Sequence, residues 1–458
     1  MPESLLAKSK KLLQSQTKLL VKNSSWVFAG NFFRTFLVFL KGVVMVRFLG
    51  TELFGLYAII INFVGIIQEF LNLNLGTTII KFGASYKSDK KTPLLVALIK
   101  TGVLASFVSV LVSILIIVLI LIYFYDVFLE EKGLEWYIIT YAFAAGTLFF
   151  DNISQGILRL YYKFKALSAL AVIVTSLEFI IVVTALYFES TKLSTLFIAL
   201  IASKLLGSII YGFGTAMEVK DDLKKHLGSS IFNLRADWKK IGEFTLANSG
   251  SRSIHTASNK GDVMLLAALG GANGPVWVTY YSLAKKLAYA VLTIVDPLVQ
   301  SIFPQFSILI SEKKYREMRK MIRQITKMAL VPASIFLVAV YFVKDWLITV
   351  IYGADRIGAA EPFTYHMIGA ALGTVFFWNL SLIISIGMVR FRLVVSAIGT
   401  IIGAAVAYYL IPTWGASGAA LGLLVANFLI IISFSLASYF TIGKFARLEE
   451  RNPEISPG

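Results

Sequence analysis

Residues 102–124 read GVLASFVSVLVSILIIVLILIYF, a stretch of 23 residues that contains no charged side chain. A helix that crosses the hydrocarbon core of a bilayer needs about 20 mostly apolar residues, so this stretch predicts a transmembrane helix. Strands of a membrane barrel alternate apolar and polar residues, whereas the apolar residues here form continuous runs. The stretch therefore favours a helical membrane protein.

The rest of the chain has the same character. Of its 458 residues, 57% are hydrophobic and only 15% are charged, which excludes an ordinary soluble domain. Short polar breaks separate twelve apolar stretches, each of which predicts one span. These spans lie near 24–48, 53–82, 93–124, 134–158, 164–188, 193–217, 241–269, 275–308, 325–351, 362–389, 391–411 and 414–442.

The basic residues predict the orientation of these spans. Five lysines precede the first apolar run, which is too long for a cleaved signal, so we expect an uncleaved anchor with a cytoplasmic N-terminus. With twelve spans, 30 of the 43 Lys and Arg residues fall on that side and four on the other. This bias predicts a multi-pass protein of the cytoplasmic membrane with both termini cytoplasmic. The net charge of +17 is then a signal of topology and membrane-lipid contact, and we expect no nucleic-acid partner.

The spacing of the spans predicts two halves. The longest cytoplasmic connection, residues 218–240, separates two sets of six spans, and Lys41-Gly42-Val43-Val44-Met45 in span 1 is repeated as Lys260-Gly261-Asp262-Val263-Met264 in span 7. We therefore predict an all-α integral membrane protein with twelve transmembrane helices in two pseudo-symmetric six-helix lobes. The predicted parts are an N-tail (1–23), a first lobe (24–217), a linker (218–240), a second lobe (241–443) and a C-tail (444–458).

The composition also limits the chemistry. The chain has no cysteine and only three histidines, which disfavours a metal site, and we expect no cofactor. We find no soluble domain or long external loop to hold a catalytic site. A transporter is therefore favoured over an enzyme.

Charged residues inside the spans are expensive and should face water or a partner. The deeper charges are eight cations and five acids: Arg34, Lys41, Lys100, Lys204, Arg252, Lys260, Lys285 and Lys286 against Glu69, Asp151, Glu178, Asp262 and Asp296. At 100° per residue, the polar residues of spans 1, 2, 7 and 8 share faces within their helices. We predict that these four spans line one central, water-filled cavity that is net basic and attracts an anionic headgroup.

Two sets of candidate residues follow. For substrate binding they are Arg34, Lys41, Arg252, Lys260 and Lys285 as headgroup contacts, with Asn248, His255 and Tyr289 as hydrogen-bonding groups. For coupling to Na⁺ or H⁺ they are Glu69, Asn259 and Asp262. The alternative for any one of these charges is an ion pair within the protein, for example Lys260 or Arg252 with Asp262, or Lys285 with Asp296.

Several motifs resemble a known family. Residues 47–57 (RFLGTELFGLY), the Leu75-Gly76 pair with Lys81 behind it, the YYSLAKK stretch at 280–286 and Phe303-Pro304 resemble polysaccharide-biosynthesis (O-antigen type) flippases. These belong to the multidrug/oligosaccharidyl-lipid/polysaccharide (MOP) exporter superfamily. The resemblance implies two six-helix lobes forming a V, alternating access, and a lipid-linked oligosaccharide as cargo.

Three functions follow from the residues and the resemblance together. The favoured one is a flippase that moves an anionic polyprenyl- or dolichyl-linked glycan from the cytoplasmic to the outer leaflet, with glycan-assembly proteins as candidate partners. The first alternative is an organic-cation exporter of the same superfamily, which in many members uses a carboxylate in span 1. Residues 24–48 contain no Asp or Glu, which disfavours it. The second is a membrane glycosyltransferase or polymerase, which would need acidic metal-binding clusters or a sizeable external loop.

Overall fold

The computed structural model describes residues 3–128, 133–189, 192–292 and 312–451, together with residues 302, 305, 306, 309 and 310. Regular structure in these residues is helical. The first seven helices are α1 (Glu3–Leu71), α2 (Leu75–Ser88), α3 (Thr92–Phe128), α4 (Glu135–Gly146), α5 (Leu148–Leu160), α6 (Phe164–Phe188) and α7 (Leu193–Leu223). The next are α8 (Trp238–Gly270), α9 (Gly274–Leu292), α10 (Tyr315–Tyr352), α11 (Ala360–Val375), α12 (Trp378–Ser385) and α13 (Val389–Arg451).

Seven helical segments of the described chain are long and apolar enough to cross a membrane, or eight if the bent pair α11 and α12 forms one span. This number is lower than twelve because single segments contain more than one predicted span. Ala29–Ser88 covers most of predicted span 1 and all of span 2, and Arg390–Arg447 includes spans 11 and 12. Predicted span 4 corresponds to α4 and α5, which are 12 and 13 residues long and meet at Thr147. The count of twelve therefore stays a prediction.

Glycine marks the breaks inside the two longest helices. Gly50 interrupts α1 with φ of 77° and ψ of 177°, and Gly415 interrupts α13 with φ of 51° and ψ of −127°. A side chain is strained at these positive φ values, whereas glycine adopts them readily. The break at Gly50 lies between predicted spans 1 and 2, and Gly415 is the second residue of predicted span 12.

The chain divides into two compact units. Unit 1 consists of Met1–Leu49 and Ile60–Lys260, and unit 2 consists of Gly50–Ile59 and Gly261–Gly458. Helices α1 and α8 therefore each contribute residues to both units. The predicted lobe limits at 217 and 241 stay predictions.

In unit 1, the connection between α7 and α8 folds against the ends of α2 and α3. It forms two 3₁₀ turns, Lys224–His226 and Ile231–Leu234, and Leu234 joins a buried apolar cluster with Ile79, Leu95 and Leu98. Lys100 donates hydrogen bonds to the carbonyls of Leu227 and Ser229. The predicted linker is thus an ordered part of unit 1, and Lys100, which the sequence placed among the interior cations, binds this connection.

Two glycines bring α2 and α5 into close contact in unit 1. A Cβ added to Gly76 would lie 2.2 Å from the carbonyl oxygen of Asn152, and one added to Gly156 would lie 2.6 Å from the Cα of Gly76. Small residues permit such close backbone approach between membrane helices.

We expect Gly76→Ala to destabilise the protein by about 1–3 kcal/mol, because the added methyl meets a backbone atom that cannot move without displacing α5. The measurement is thermal unfolding of the detergent-solubilised protein. Gly212→Ala is the matched control, since a Cβ there has no neighbour within 4 Å. Equal melting temperatures for the two variants would contradict the close contact.

In unit 2, residues 50–59 pack against the start of α9. Thr279 donates from its hydroxyl to the carbonyl of Thr51 at 2.5 Å, and a Cβ on Gly55 would lie 1.8 Å from the carbonyl oxygen of Pro275. Unit 2 also has a buried apolar cluster, in which Met318 of α10 packs with Trp378 and Leu382 of α12 and with Ile442 of α13.

Candidate functional site

A cluster of three charged side chains lies in the interior of unit 1. Lys41 of α1 contacts Oε1 of Glu178 at 2.5 Å, and Lys204 of α7 contacts Oε2 of the same carboxylate at 3.0 Å. All three side chains are at most 20% exposed. Each carboxylate oxygen of Glu178 therefore accepts from one ammonium group, and the three residues together carry one net positive charge.

Further polar groups of unit 1, on α4, α5 and α7, lie near this cluster. Lys204 also lies within electrostatic reach of Tyr141 and Asp151. The buried carboxylate of Asp151 accepts a hydrogen bond of 2.8 Å from the Ser208 hydroxyl, one turn beyond Lys204 on α7. The charges of spans 1, 4, 5 and 6 thus form one network.

Arg34 differs from Lys41 although both lie on the same side of α1. Its side chain is exposed, and it lies within electrostatic reach of the Tyr211 hydroxyl. The structure gives Arg34 no ion pair with a described acidic residue. A guanidinium inside a membrane helix costs about 3 kcal/mol when it faces lipid, so its exposure favours contact with water or an anion.

Three more candidates lie in unit 1. The Lys260 ammonium lies against Gly65, where an added Cβ would be 2.6 Å from Nζ, and Glu69 follows one turn later on α1. Asn248 of α8 is half-buried, and its Nδ2 has no hydrogen-bond partner among the described atoms. Lys260 of predicted span 7 thus lies beside Gly65 of predicted span 2, and a binding site shared by the two spans stays a prediction.

Unit 2 holds a separate group centred on Asp262. Lys285 donates to Oδ2 of Asp262 at 2.5 Å, the Tyr281 hydroxyl donates to the same oxygen, and the backbone N–H of Val263 donates to Oδ1. The Tyr281 ring lies against His366, with ring centroids 4.9 Å apart. Asp262 and Lys285 therefore neutralise one another in this structure. This is an ion pair within the protein, as the alternative to substrate binding expects, but the sequence suggests other partners for both residues.

Of the remaining candidates, the structure describes the side chain of Tyr289. Tyr289 of α9 is 43% exposed and lines a cavity in unit 2. The side chains of Arg252, His255 and Asn259 lie outside the described part of the chain, as does Asp296. The sequence identifies Glu178 and Lys204 as interior charges but not as site residues, because helical periodicity relates residues of one helix only. Their pairing with Lys41 connects three helices that the sequence does not place side by side.

The family follows from a sequence comparison. A family model described as polysaccharide biosynthesis protein matches residues 20–310, more than half of the chain. The chain belongs to this family. A comparison with curated protein sequences gives no match.

Solved structures with the same fold are transporters of the MOP superfamily. An inward-facing multidrug resistance MATE family transporter has a TM-score of 0.69 at 16% identity and covers 90% of this chain and 96% of its own. A MOP superfamily transporter from Pyrococcus furiosus, described as having a binding pocket of reverse polarity, gives 0.60 at 17%, covering 94% and 96%. The lipid II flippase MurJ in an inward closed conformation gives 0.62 at 14%, covering 91% and 87%. The protein is therefore a multi-pass membrane protein of the polysaccharide-biosynthesis family with a MOP-type transporter fold.

Proposed function

We propose that the protein is a flippase that moves an anionic lipid-linked oligosaccharide from the cytoplasmic to the outer leaflet by alternating access. Its cargo would carry a phosphate or diphosphate between a polyprenyl or dolichyl chain and the glycan. The polar headgroup would pass along the cationic side chains of spans 1, 2, 7 and 8, while the lipid chain stays in the bilayer. Membrane lipid and glycan-assembly proteins are the proposed partners.

The observation that carries this proposal is the charge of the unit 1 interior. Each carboxylate oxygen of Glu178 contacts an ammonium group of the protein, Oε1 that of Lys41 and Oε2 that of Lys204. Counting Arg34 and the buried carboxylate of Asp151, the network holds three cations and two acids, a surplus of one positive charge. Fixed positive charge in a low-dielectric surrounding attracts phosphate and repels organic cations. Arginine adds a planar donor geometry that fits two phosphate oxygens.

An organic-cation exporter is the second candidate, because the MATE family is among the structural neighbours. It would need an acidic group that is free to bind the substrate cation. Residues 24–48 contain no carboxylate, and Glu178 and Asp262 both bind lysines. These contacts favour the flippase.

The coupling ion is a separate proposal. Glu69, Asn259 and Asp262 remain the candidates for coupling to Na⁺ or H⁺. In unit 2 the Lys285 ammonium lies where a bound cation would contact Asp262. A cation could reach that carboxylate only if Lys285 moved away from it.

We expect the gene to restore surface-glycan export in a bacterial strain that lacks its own polysaccharide flippase. The same gene should leave the resistance of a drug-hypersusceptible host to organic cations unchanged, since the interior cations repel such compounds. The measurements are surface glycan by lectin labelling and the minimum inhibitory concentration of ethidium. Drug resistance without glycan export would overturn the flippase proposal.

A further inference from the structure

Unit 2 contains a small cavity between helices α9, α11 and α13. Its volume is about 50 Å³, and its lining includes Tyr289 from α9, His366 and Gly369 from α11, and Leu424 and Asn427 from α13. Because one water needs roughly 10–15 Å³ of such space, the cavity takes about four water-sized groups. It is too small for a whole sugar ring and large enough for one substituent of a ring.

The polar groups of this cavity carry no formal charge when His366 is neutral. His366 is 8% exposed, and its Nε2 has no hydrogen-bond partner within the described chain. A buried polar atom without a partner is uncommon in a native protein, and in a cavity with further polar groups its partner is a water or a bound group that replaces the water. Asn427 adds a carboxamide, which both donates and accepts.

Tyr365 and several apolar side chains complete the lining. Leu424 and its neighbour Leu423 lie in the same wall as Asn427, and Ala370 and Ala420 contribute methyl groups. Asp262 and Lys285 of the same unit are occupied by their contact with one another. The cavity therefore suits an uncharged group with one methyl end and one hydrogen-bonding end.

We propose that this cavity binds the acetamido substituent of an N-acetylated amino sugar in the transported glycan. The methyl group would contact Leu423 and Leu424, and the amide would exchange hydrogen bonds with His366 and Asn427. Tyr289, which is 43% exposed at the edge of this cavity, would stack on the sugar ring outside it. This assignment rests on the proposed function, since it names a feature of the substrate class.

Gly369 gives a direct test of the cavity. A Cβ at this position would lie 3.7 Å from Cδ1 of Leu424 and 3.8 Å from Nδ2 of Asn427, which is ordinary contact. Gly369→Ala therefore fits without a clash and places one methyl group between the two residues that the acetamido group would contact. Gly443→Ala on α13 is the control, because a Cβ there has no neighbour within 4 Å.

The experiment measures binding of two probes to the purified protein by titration calorimetry. The probes are farnesyl diphosphate N-acetylglucosamine and farnesyl diphosphate glucose, which differ at the acetamido group alone. We expect the wild type and Gly443→Ala to bind the N-acetylated probe at least about tenfold more tightly, the discrimination that a well-fitted small pocket gives. Gly369→Ala should bring the two dissociation constants together without weakening the glucose probe. His366→Ala and Asn427→Leu are second variants and should reduce the same ratio.

The outcomes separate the two proposals. Equal binding of both probes by the wild type would overturn the acetamido site and leave the flippase proposal standing. A preference that Gly369→Ala, His366→Ala and Asn427→Leu all retain would also overturn the site, because the selectivity would then arise elsewhere. Failure of both probes to bind would overturn the proposed function and the acetamido site together.

Discussion

Glu178→Gln will destabilise the protein more than any single loss of a lysine in the same cluster. The substitution leaves the ammonium groups of Lys41 and Lys204 in the interior of unit 1 without the carboxylate that both contact. Removing one partner of a buried ion pair costs about 3–5 kcal/mol, because the remaining charge has no compensation. Here two charges lose their partner at once. Thermal unfolding in detergent micelles is the measurement.

Two controls make this prediction specific. Glu189→Gln is the same substitution at an exposed glutamate, whose contact with Lys192 at 2.6 Å lies at the surface, and should leave the melting temperature unchanged. The double variant Glu178→Gln, Lys204→Gln strands one cation instead of two and should be more stable than Glu178→Gln alone. If Glu178→Gln melts like the wild type, the three side chains do not form a buried charge cluster.

Arg34→Gln will reduce glycan export about 10- to 100-fold. This is the loss expected when one charge-assisted hydrogen bond to a phosphate is removed, because such a bond contributes about 1.5–3 kcal/mol. Arg34→Lys should retain part of the activity, since it keeps the charge but loses the planar donor pair. The measurement is complementation of the flippase-deficient strain, with the amount of protein in the membrane determined for each variant. Because Arg34 is exposed and has no described acidic partner, we expect normal protein levels.

Arg390→Gln is the control for Arg34, because Arg390 is also exposed but lies at the beginning of α13, on the predicted cytoplasmic surface. It should support export like the wild type. The two candidate functions predict opposite signs for Arg34→Gln, since loss of a positive charge would favour binding of an organic cation. A gain of drug efflux in Arg34→Gln, or full glycan export, would contradict a headgroup contact at this residue.

The sequence predicts the membrane class and the family well, because both depend on properties that each stretch carries by itself. Uninterrupted apolar residues such as 102–124 indicate a spanning helix whatever their neighbours are. The motif around Gly50 and Gly55 indicates the family and also has a structural reason. Gly50 adopts a positive φ, and Gly55 allows the backbone to approach Pro275.

The sequence does not predict the partners of the charged residues, because these partners depend on which helices are adjacent. Helical periodicity places Arg34 and Lys41 on one side of α1, yet only the fold shows that Lys41 meets Glu178 while Arg34 stays exposed. The structure pairs Lys285 with Asp262, and the candidate partner Asp296 lies outside the described residues. His366 is one of three histidines and carries no local motif. Its significance comes from a cavity that three helices enclose.

Translocation in proteoliposomes tests the central proposal most directly. The purified protein would be reconstituted with a fluorescent polyprenyl diphosphate glycan, and the fraction accessible to a membrane-impermeant quencher would be followed with time. We predict that the wild type exchanges the probe between leaflets much faster than protein-free vesicles and that Arg34→Gln is slower than Arg390→Gln. Exchange no faster than in protein-free vesicles, combined with uptake of an organic cation by the same vesicles, would contradict the account.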